Sequence, residues 1–232
     1  MIFNRIIPSL LLKNSRLVKG ENFKKFNDAG DPVKTIKAYC DQGADEIILS
    51  IIDNKKYEYQ NLINEISKIC NVPLCIYGNI QNIDDANFYF RNGADKIGIN
   101  SFALDDISIF NTLSKIYGSQ SICSTVNYFF QSKKIYNHKL NRSIDINIFD
   151  YLRDIQKSGV GEIKITSVSH EGKLLGPDKN LNEFIKIIKV PLIYEGGISK
   201  VSEIANLFEK NVCNIAIGSM LVFKDMNIVK IK

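Results

Sequence analysis

The sequence predicts an α/β fold, a single (β/α)8 barrel, on three observations. Eight short β-branched runs alternate with helical segments along 232 residues, the order of βαβ units in a parallel sheet. A small-residue turn, a polar residue and a β-branched run recur four times: Gly43-Ala-Asp-Glu-Ile-Ile-Leu-Ser, Gly93-Ala-Asp-Lys-Ile-Gly-Ile-Asn, Gly159-Val-Gly-Glu-Ile-Lys-Ile-Thr and Asn211-Val-Cys-Asn-Ile-Ala-Ile-Gly-Ser. The length is also close to the roughly 250 residues typical of such a barrel. The recurrence indicates two similar half-barrels, and with no linker between them residues 1–232 read as one domain. An open doubly wound sheet is the alternative. It ordinarily carries a Gly-rich first turn, whereas the turn here is Leu11-Leu12-Lys13-Asn14.

Four further apolar runs fall between the repeats, at Arg5–Leu12, Val72–Tyr77, Ser121–Val126 and Val190–Tyr194, and complete the eight strands. Helices are expected where apolar residues recur every three to four positions: Pro32–Gln42, Tyr59–Ile69, Ile83–Asn92, Ser108–Tyr117, Ile148–Lys157, Leu181–Lys189 and Lys200–Glu209. Pro32 after Asp31 and the pair Asp84-Asp85 are start signals, because proline suits the first helical position and carboxylates suit the positive end of the helix dipole. The segment Tyr128–Ile144 reads as a β-hairpin excursion from the fifth strand.

Composition narrows the function classes. With 45% hydrophobic and 24% charged residues and 5 prolines, disorder and low complexity are excluded. The lysines behind the net charge of +5 are scattered, which speaks against a nucleic-acid partner. No apolar run approaches the roughly 18 residues of a membrane span, and the first residues lack the order of a signal peptide. Five cysteines with no CxxC pattern fit a reducing compartment, so a soluble cytoplasmic protein is expected. Only two histidines, His138 and His170, are present, so no metal site is expected.

Arg5, Glu46, Lys96 and Glu162 each stand at the start of a β-branched run, and strand alternation aims all four at the barrel axis. Two cations and two carboxylates sum to zero and can pair, whereas one buried charge alone costs several kcal/mol. Ordinary rim salt bridges are the alternative for any one of them.

Arg5-Ile-Ile-Pro, Leu17-Val-Lys-Gly, Asp28-Ala-Gly-Asp-Pro, Gly43-Ala-Asp-Glu, Gly93-Ala-Asp-Lys, Gly118-Ser-Gln, Gly161-Glu-Ile and Glu195-Gly-Gly resemble, in order and spacing, the cyclase subunit of imidazole glycerol phosphate synthase, the HisF family. The resemblance covers nearly the whole chain. It implies a barrel with no cofactor that pairs at its N-terminal face with a HisH-like glutaminase and passes that enzyme's ammonia through the lumen. At the opposite mouth the family's ammonia reacts with a bisphosphorylated nucleotide. Arg5, Glu46, Lys96 and Glu162 match the family's ring at the ammonia entrance, and Asp95 matches a residue facing the glutaminase.

The mouth departs from the family. Its two catalytic aspartates correspond here to Leu11 and Asn127. Leucine has no titratable proton and an amide cannot shuttle one near neutral pH, while each positioned acid or base is typically worth ~10²–10⁴-fold. A third carboxylate is replaced within Ser50-Ile51-Ile52, although Asp53 lies close by. The small-residue turn after strand seven begins with Glu195, whose charge about 5 Å from a bound phosphate would repel it by about 3 kcal/mol at an effective dielectric of ~20. Lys19, Asn100, Ser101, Gly172, Gly196, Gly197, Gly218 and Ser219 match family positions, so an anion site is expected in part. His170-Glu171-Gly172 is either part of it or a solvated loop.

Lys164 points into the barrel by alternation from Glu162, where it could pair with Glu195; a register slip would put it outside. An ammonia entrance kept under a cyclase mouth dismantled resembles the glycosyl-amidation-associated, WbuZ-like branch, as do Leu10-Leu-Leu-Lys-Asn14 and Gly218-Ser-Met-Leu-Val-Phe223. That branch implies a barrel feeding ammonia to a separate sugar amidotransferase in surface-glycan synthesis. Two other readings stay open: a working cyclase of histidine biosynthesis with Asp53, Glu171 or Glu195 as substitutes, and a stand-alone barrel binding a phosphorylated metabolite.

Overall fold

The computed structural model describes residues 4–224 and 226–232. Strand β1 (Arg5–Lys13) turns through Asn14 and Ser15, both at positive φ, into β2 (Arg16–Glu21), and Asn22 and Phe23, again at positive φ, lead into β3 (Lys24–Gly30). Two-residue turns with φ positive at both positions match the right-handed twist of antiparallel partners. This hairpin stands between the first barrel strand and its helix and is not anticipated by the sequence. Neither turn carries the glycine that usually announces one, and β2–β3 has no apolar alternation.

Beyond the hairpin, strand and helix alternate: α1 (Pro32–Asp41), β4 (Ile47–Ile51), α2 (Gln60–Ile69), β5 (Leu74–Tyr77), α3 (Ile83–Arg91), β6 (Lys96–Ile99), α4 (Ser108–Tyr117) and β7 (Ile122–Phe129). An excursion, β8 (Lys134–Asn137) and β9 (Arg142–Asn147), precedes α5 (Ile148–Lys157), β10 (Glu162–Ser167), α6 (Leu181–Ile187), β11 (Leu192–Glu195), α7 (Val201–Glu209) and β12 (Asn214–Ile217). The chain closes with α8 (Ser219–Phe223) and α9 (Ile228–Ile231), too short for a 3.6-residue period to show in the sequence. The expected start signals act as such. Asp31 Oδ1 accepts from Lys34 N at 2.9 Å, ahead of Pro32, and Asn82 Oδ1 accepts from Asp85 N at 2.9 Å.

Eight parallel strands run in the order β1-β4-β5-β6-β7-β10-β11-β12, with β12 returning to β1 and β7 paired to β10. These eight strands therefore close into a barrel, as the repeat predicts. Tyr128–Ile144 does leave the barrel as an antiparallel excursion, with Tyr128 opposite Ile135 and Ile135 opposite Ile144.

Two cores result. The larger lies between sheet and helices; the second, Ile7, Ile48, Cys75, Tyr77, Cys123, Ile193 and Ala216, fills the lumen. The third residue of two repeats fixes neighbouring strands: Asp45 Oδ2 accepts from Ile6 N and Asp95 Oδ2 from Leu74 N, each at 2.8 Å.

In the lumen the Tyr77 ring lies across Gly98, where an added Cβ would stand 1.8 Å from Tyr77 Cε1. Gly98→Ala should therefore evict the ring and destabilise the fold by ~1–3 kcal/mol, a loss readable in urea denaturation.

Candidate functional site

The fourth position of every repeat, Glu46, Lys96, Glu162 and Asn214, comes from alternate barrel strands or the residue just before one. Alternate strands supply one layer of a barrel interior, so these four meet at one level and β1 adds Arg5. Arg5 Nη1 donates to Glu46 Oε2 at 2.6 Å and its Nη2 to Glu162 Oε1 at 2.5 Å. Lys96 Nζ donates to Glu46 Oε2 and Glu162 Oε2, both at 2.9 Å. The four charges form a closed ring of alternating sign across the N-terminal end of the lumen, which decides against separate rim salt bridges. Asn214 Oδ1 accepts from Arg5 Nε at 2.7 Å, a fifth member that its lack of charge concealed.

Burial works against every charge in the ring and the partners answer it. For Lys96 desolvation lowers the pKa, but Glu46 and Glu162 together outweigh it and hold the ammonium above its ordinary value. Arg5 behaves likewise, burial being opposed by Glu162 and Glu46. Glu46 is fully buried and its Oε1 has no hydrogen-bond partner. Desolvation raises its carboxyl, with Lys96 and Arg5 pulling against it and Glu162 adding to it.

Asp95, next to the ring, is exposed at the same face. Its carboxylate is engaged with the first N–H of β5, so the side chain contributes to the barrel as well as presenting charge.

Two residues further along the lumen stands Lys164. Its ammonium reaches Glu195 Oε2 at 2.5 Å and lies 4.9 Å from the centre of the Tyr77 ring. The inward register is thus the one adopted. Thr166 Oγ1 donates to the same carboxylate oxygen at 3.1 Å. Burial would raise the Glu195 pKa, but Lys164, then Lys19 and hydrogen bonds from Lys164 and Ser9 overcome it and hold the carboxyl down at about 2.

At the C-terminal mouth Lys19, Gly172, Gly196, Gly197, Gly218 and Ser219 are brought together with Glu171 and Glu195 around a cavity of about 20 Å³, room for about one water molecule. Lys19 Nζ is ion-paired with Glu171, whose other oxygen accepts from Phe23 N at 3.1 Å. Glu171 therefore belongs to this cradle rather than to a solvated loop, and it ties the β2–β3 hairpin to the mouth. Gly196 and Gly197 both have positive φ, and a Cβ on Gly197 would meet Gly176 O at 2.1 Å.

Asn100 and Ser101 are not part of that cradle. They bond each other at 2.9 Å, and Ser101 Oγ accepts from His138 N at 2.8 Å.

Leu11 and Asn127 stand toward the mouth on β1 and β7. Asn127 Nδ2 donates to His138 Nε2 at 2.5 Å, a contact that sequence reasoning missed because the β8–β9 excursion carries His138 back over the mouth. Asp53 sits off the lumen, accepting from Tyr59 Oη at 2.6 Å and Asn14 N at 2.9 Å. His170 Nδ1 is 2.8 Å from Ser167 Oγ. Among the described residues no group of three potential metal ligands occurs, and no helix is long and apolar enough to cross a membrane.

Residues 5–227 match the histidine biosynthesis protein family. The chain belongs to the HisF family. It is 33% identical to imidazole glycerol phosphate synthase subunit HisF of Staphylococcus saprophyticus, covering 100% of this chain and 96% of that protein. Identity to HisF of Flavobacterium psychrophilum is 31%, over 100% of this chain and 95% of that protein. A putative imidazole glycerol phosphate synthase subunit hisF2 of Pseudomonas aeruginosa is 32% identical over 96% and 92%. Within this HisF chain the four-charge ring coexists with a mouth that has no free carboxylate pair at Leu11 and Asn127.

Removing one member of a buried ion pair strands the other, at ~3–5 kcal/mol, whereas replacing both by apolar residues is nearly neutral. Lys164→Met should be destabilised by that amount in urea titrations, and Lys164→Met/Glu195→Leu should recover most of it. A lowered carboxyl pKa stabilises the fold above its unfolded value and ceases to do so as pH falls toward the folded one. The stability gap between the native chain and Glu195→Gln should therefore narrow as pH is lowered from about 5 to about 3.

Proposed function

We propose that this chain is the barrel subunit of a glutamine amidotransferase complex. It receives ammonia from a HisH-like glutaminase at its N-terminal face, next to Asp95, and conducts it through the lumen. Its own cyclase chemistry is lost. The destination is a separate sugar amidotransferase acting on a surface-glycan precursor.

The observation that carries the reading is the closed Arg5–Glu46–Lys96–Glu162 ring over the lumen beneath a mouth with Leu11 and Asn127 at its two proton-transfer positions. Ring side chains can admit a small neutral molecule by exchanging partners, since each carboxylate is shared by two cations. Each of the three carboxylates considered as a replacement for the missing aspartates is already committed. Asp53 accepts from Tyr59, Glu171 is paired with Lys19, and Glu195 is paired with Lys164. A carboxyl held near 2 is too acidic to donate a proton at neutral pH and too weak a base to remove one effectively.

A cyclase-deficient strain that needs histidine should not be rescued by this chain; growth without histidine would return the reading to a working cyclase. In the complex reconstituted with its glutaminase, Lys96→Ala should alter the fraction of glutamine-derived ammonia that emerges at the mouth, while glutamine hydrolysis continues. Unchanged transfer would remove the ring from the ammonia path. Failure to associate with any glutaminase would favour the stand-alone binding barrel.

A further inference from the structure

Among the described residues, the large apolar side chains that stay exposed collect on one face. Ile52, Tyr57, Ile83, Leu140, Leu175 and Phe223 belong to the segments that follow the C-terminal ends of barrel strands, and only Ile116 and Val229 lie elsewhere. Leu175 is 68% exposed and Phe223 48%. Such side chains are ordinary when scattered singly, but gathered on one face they mark a surface that another molecule covers.

The charges on this face are sorted as well. Lys173 and Lys179 after β10, Lys200 after β11 and Lys224 after α8 are all exposed. Among the described residues none of the four has an ion-pair partner, and no exposed carboxylate lies in these connections. The neighbouring β2–β3 hairpin adds Lys24 and Lys25 against Glu21, its Arg16 and Asp28 being taken up with each other. Strands β5 and β6 stand diametrically opposite β11 and β12 in the closed order, and there the sign reverses. The exposed charges after β5 and β6 are Asp84, Asp105 and Asp106. Lys139 of the excursion takes Asp105. Asp84 and Asp106 remain, and both line a groove of about 470 Å³ whose apolar wall includes Ile83, Phe102 and Ile109.

A face with cations on one side and carboxylates on the other is complementary to itself. A half-turn about an axis lying in the face, perpendicular to the line from lysines to aspartates, sets each arc of one copy against the opposite arc of a second. The same half-turn carries Leu175 and Phe223 of each copy toward the groove of the other, so exposed apolar side chains and groove are covered together. Two-fold pairing is the commonest form of association between identical chains. A membrane surface or a nucleic acid is negative throughout and would be repelled by the aspartate arc.

We propose that the C-terminal mouth is a self-association surface, on which two copies of this chain pair mouth to mouth with the lysine arc of each on the aspartate-lined groove of the other. The pair covers the C-terminal end of both lumens, so pairing and access to the mouth exclude each other. The proposal goes beyond the conduction reading and does not depend on it.

Sedimentation equilibrium of the purified full chain tests it. At ~0.2 mM chain and ~0.02 M salt the dimer should predominate, and its dissociation constant should rise by about tenfold or more at ~0.5 M salt, where exposed charges are screened. Lys173→Glu/Lys200→Glu and Asp84→Lys/Asp106→Lys should each be monomeric where the native chain pairs. An equimolar mixture of the two variants should pair again, because each then carries the sign that the other lacks. A native chain that stays monomeric overturns the proposal, as do dimers indifferent to salt or to both variants, or variants that remain monomeric when mixed. The salt series uses the unaltered chain, so its outcome does not depend on a variant folding.

Discussion

Buried charge that must be neutralised is the constraint on which this barrel turns. Four ionic side chains enter the N-terminal end of the lumen, and none can be desolvated alone without a penalty of several kcal/mol. Arg5 and Lys96 each reach both Glu46 and Glu162, which links the starts of β1, β4, β6 and β10 across the lumen. The ring therefore ties together strands that are far apart in sequence, and Asp45 and Asp95 reinforce it by accepting from amides near the starts of β1 and β5.

The same requirement reappears one level up with different residues. Lys164 is accommodated in the lumen because Glu195 and the face of Tyr77 surround it, with Thr166 bonded to the same carboxylate. Placing Glu195 there has a consequence at the mouth, where its carboxylate occupies ground beside Lys19 and the glycine turns. One side chain thus belongs both to the lumen and to the wall of the mouth cavity. Leu11 and Asn127, toward the mouth ends of β1 and β7, carry no group that moves a proton near neutral pH.

Arg5, Glu46, Lys96 and Glu162 are legible in the sequence because strand alternation converts position into direction. Asn214 stands at the same repeat position but carries no charge, and nothing in its type announces a partner for Arg5. The β2–β3 hairpin is hidden because its turns use Asn14-Ser15 and Asn22-Phe23 at positive φ where glycine is usual. Resemblance groups Asn100 and Ser101 with Lys19, yet they follow β6, across the barrel from the β11 and β12 turns that line the cradle, and Ser101 accepts from His138 N instead.

By itself the sequence determined the alternation of strand and helix, the closed barrel and the set of charges at its N-terminal end, because periodicity and repeat spacing are local properties that survive in one dimension. Only the tertiary structure decided which carboxylate each cation holds, that Lys164 turns inward to Glu195 and that Tyr77 lies across Gly98. Those outcomes depend on which strands become neighbours when the sheet closes and on the space left inside it, and neither quantity exists until the chain has folded.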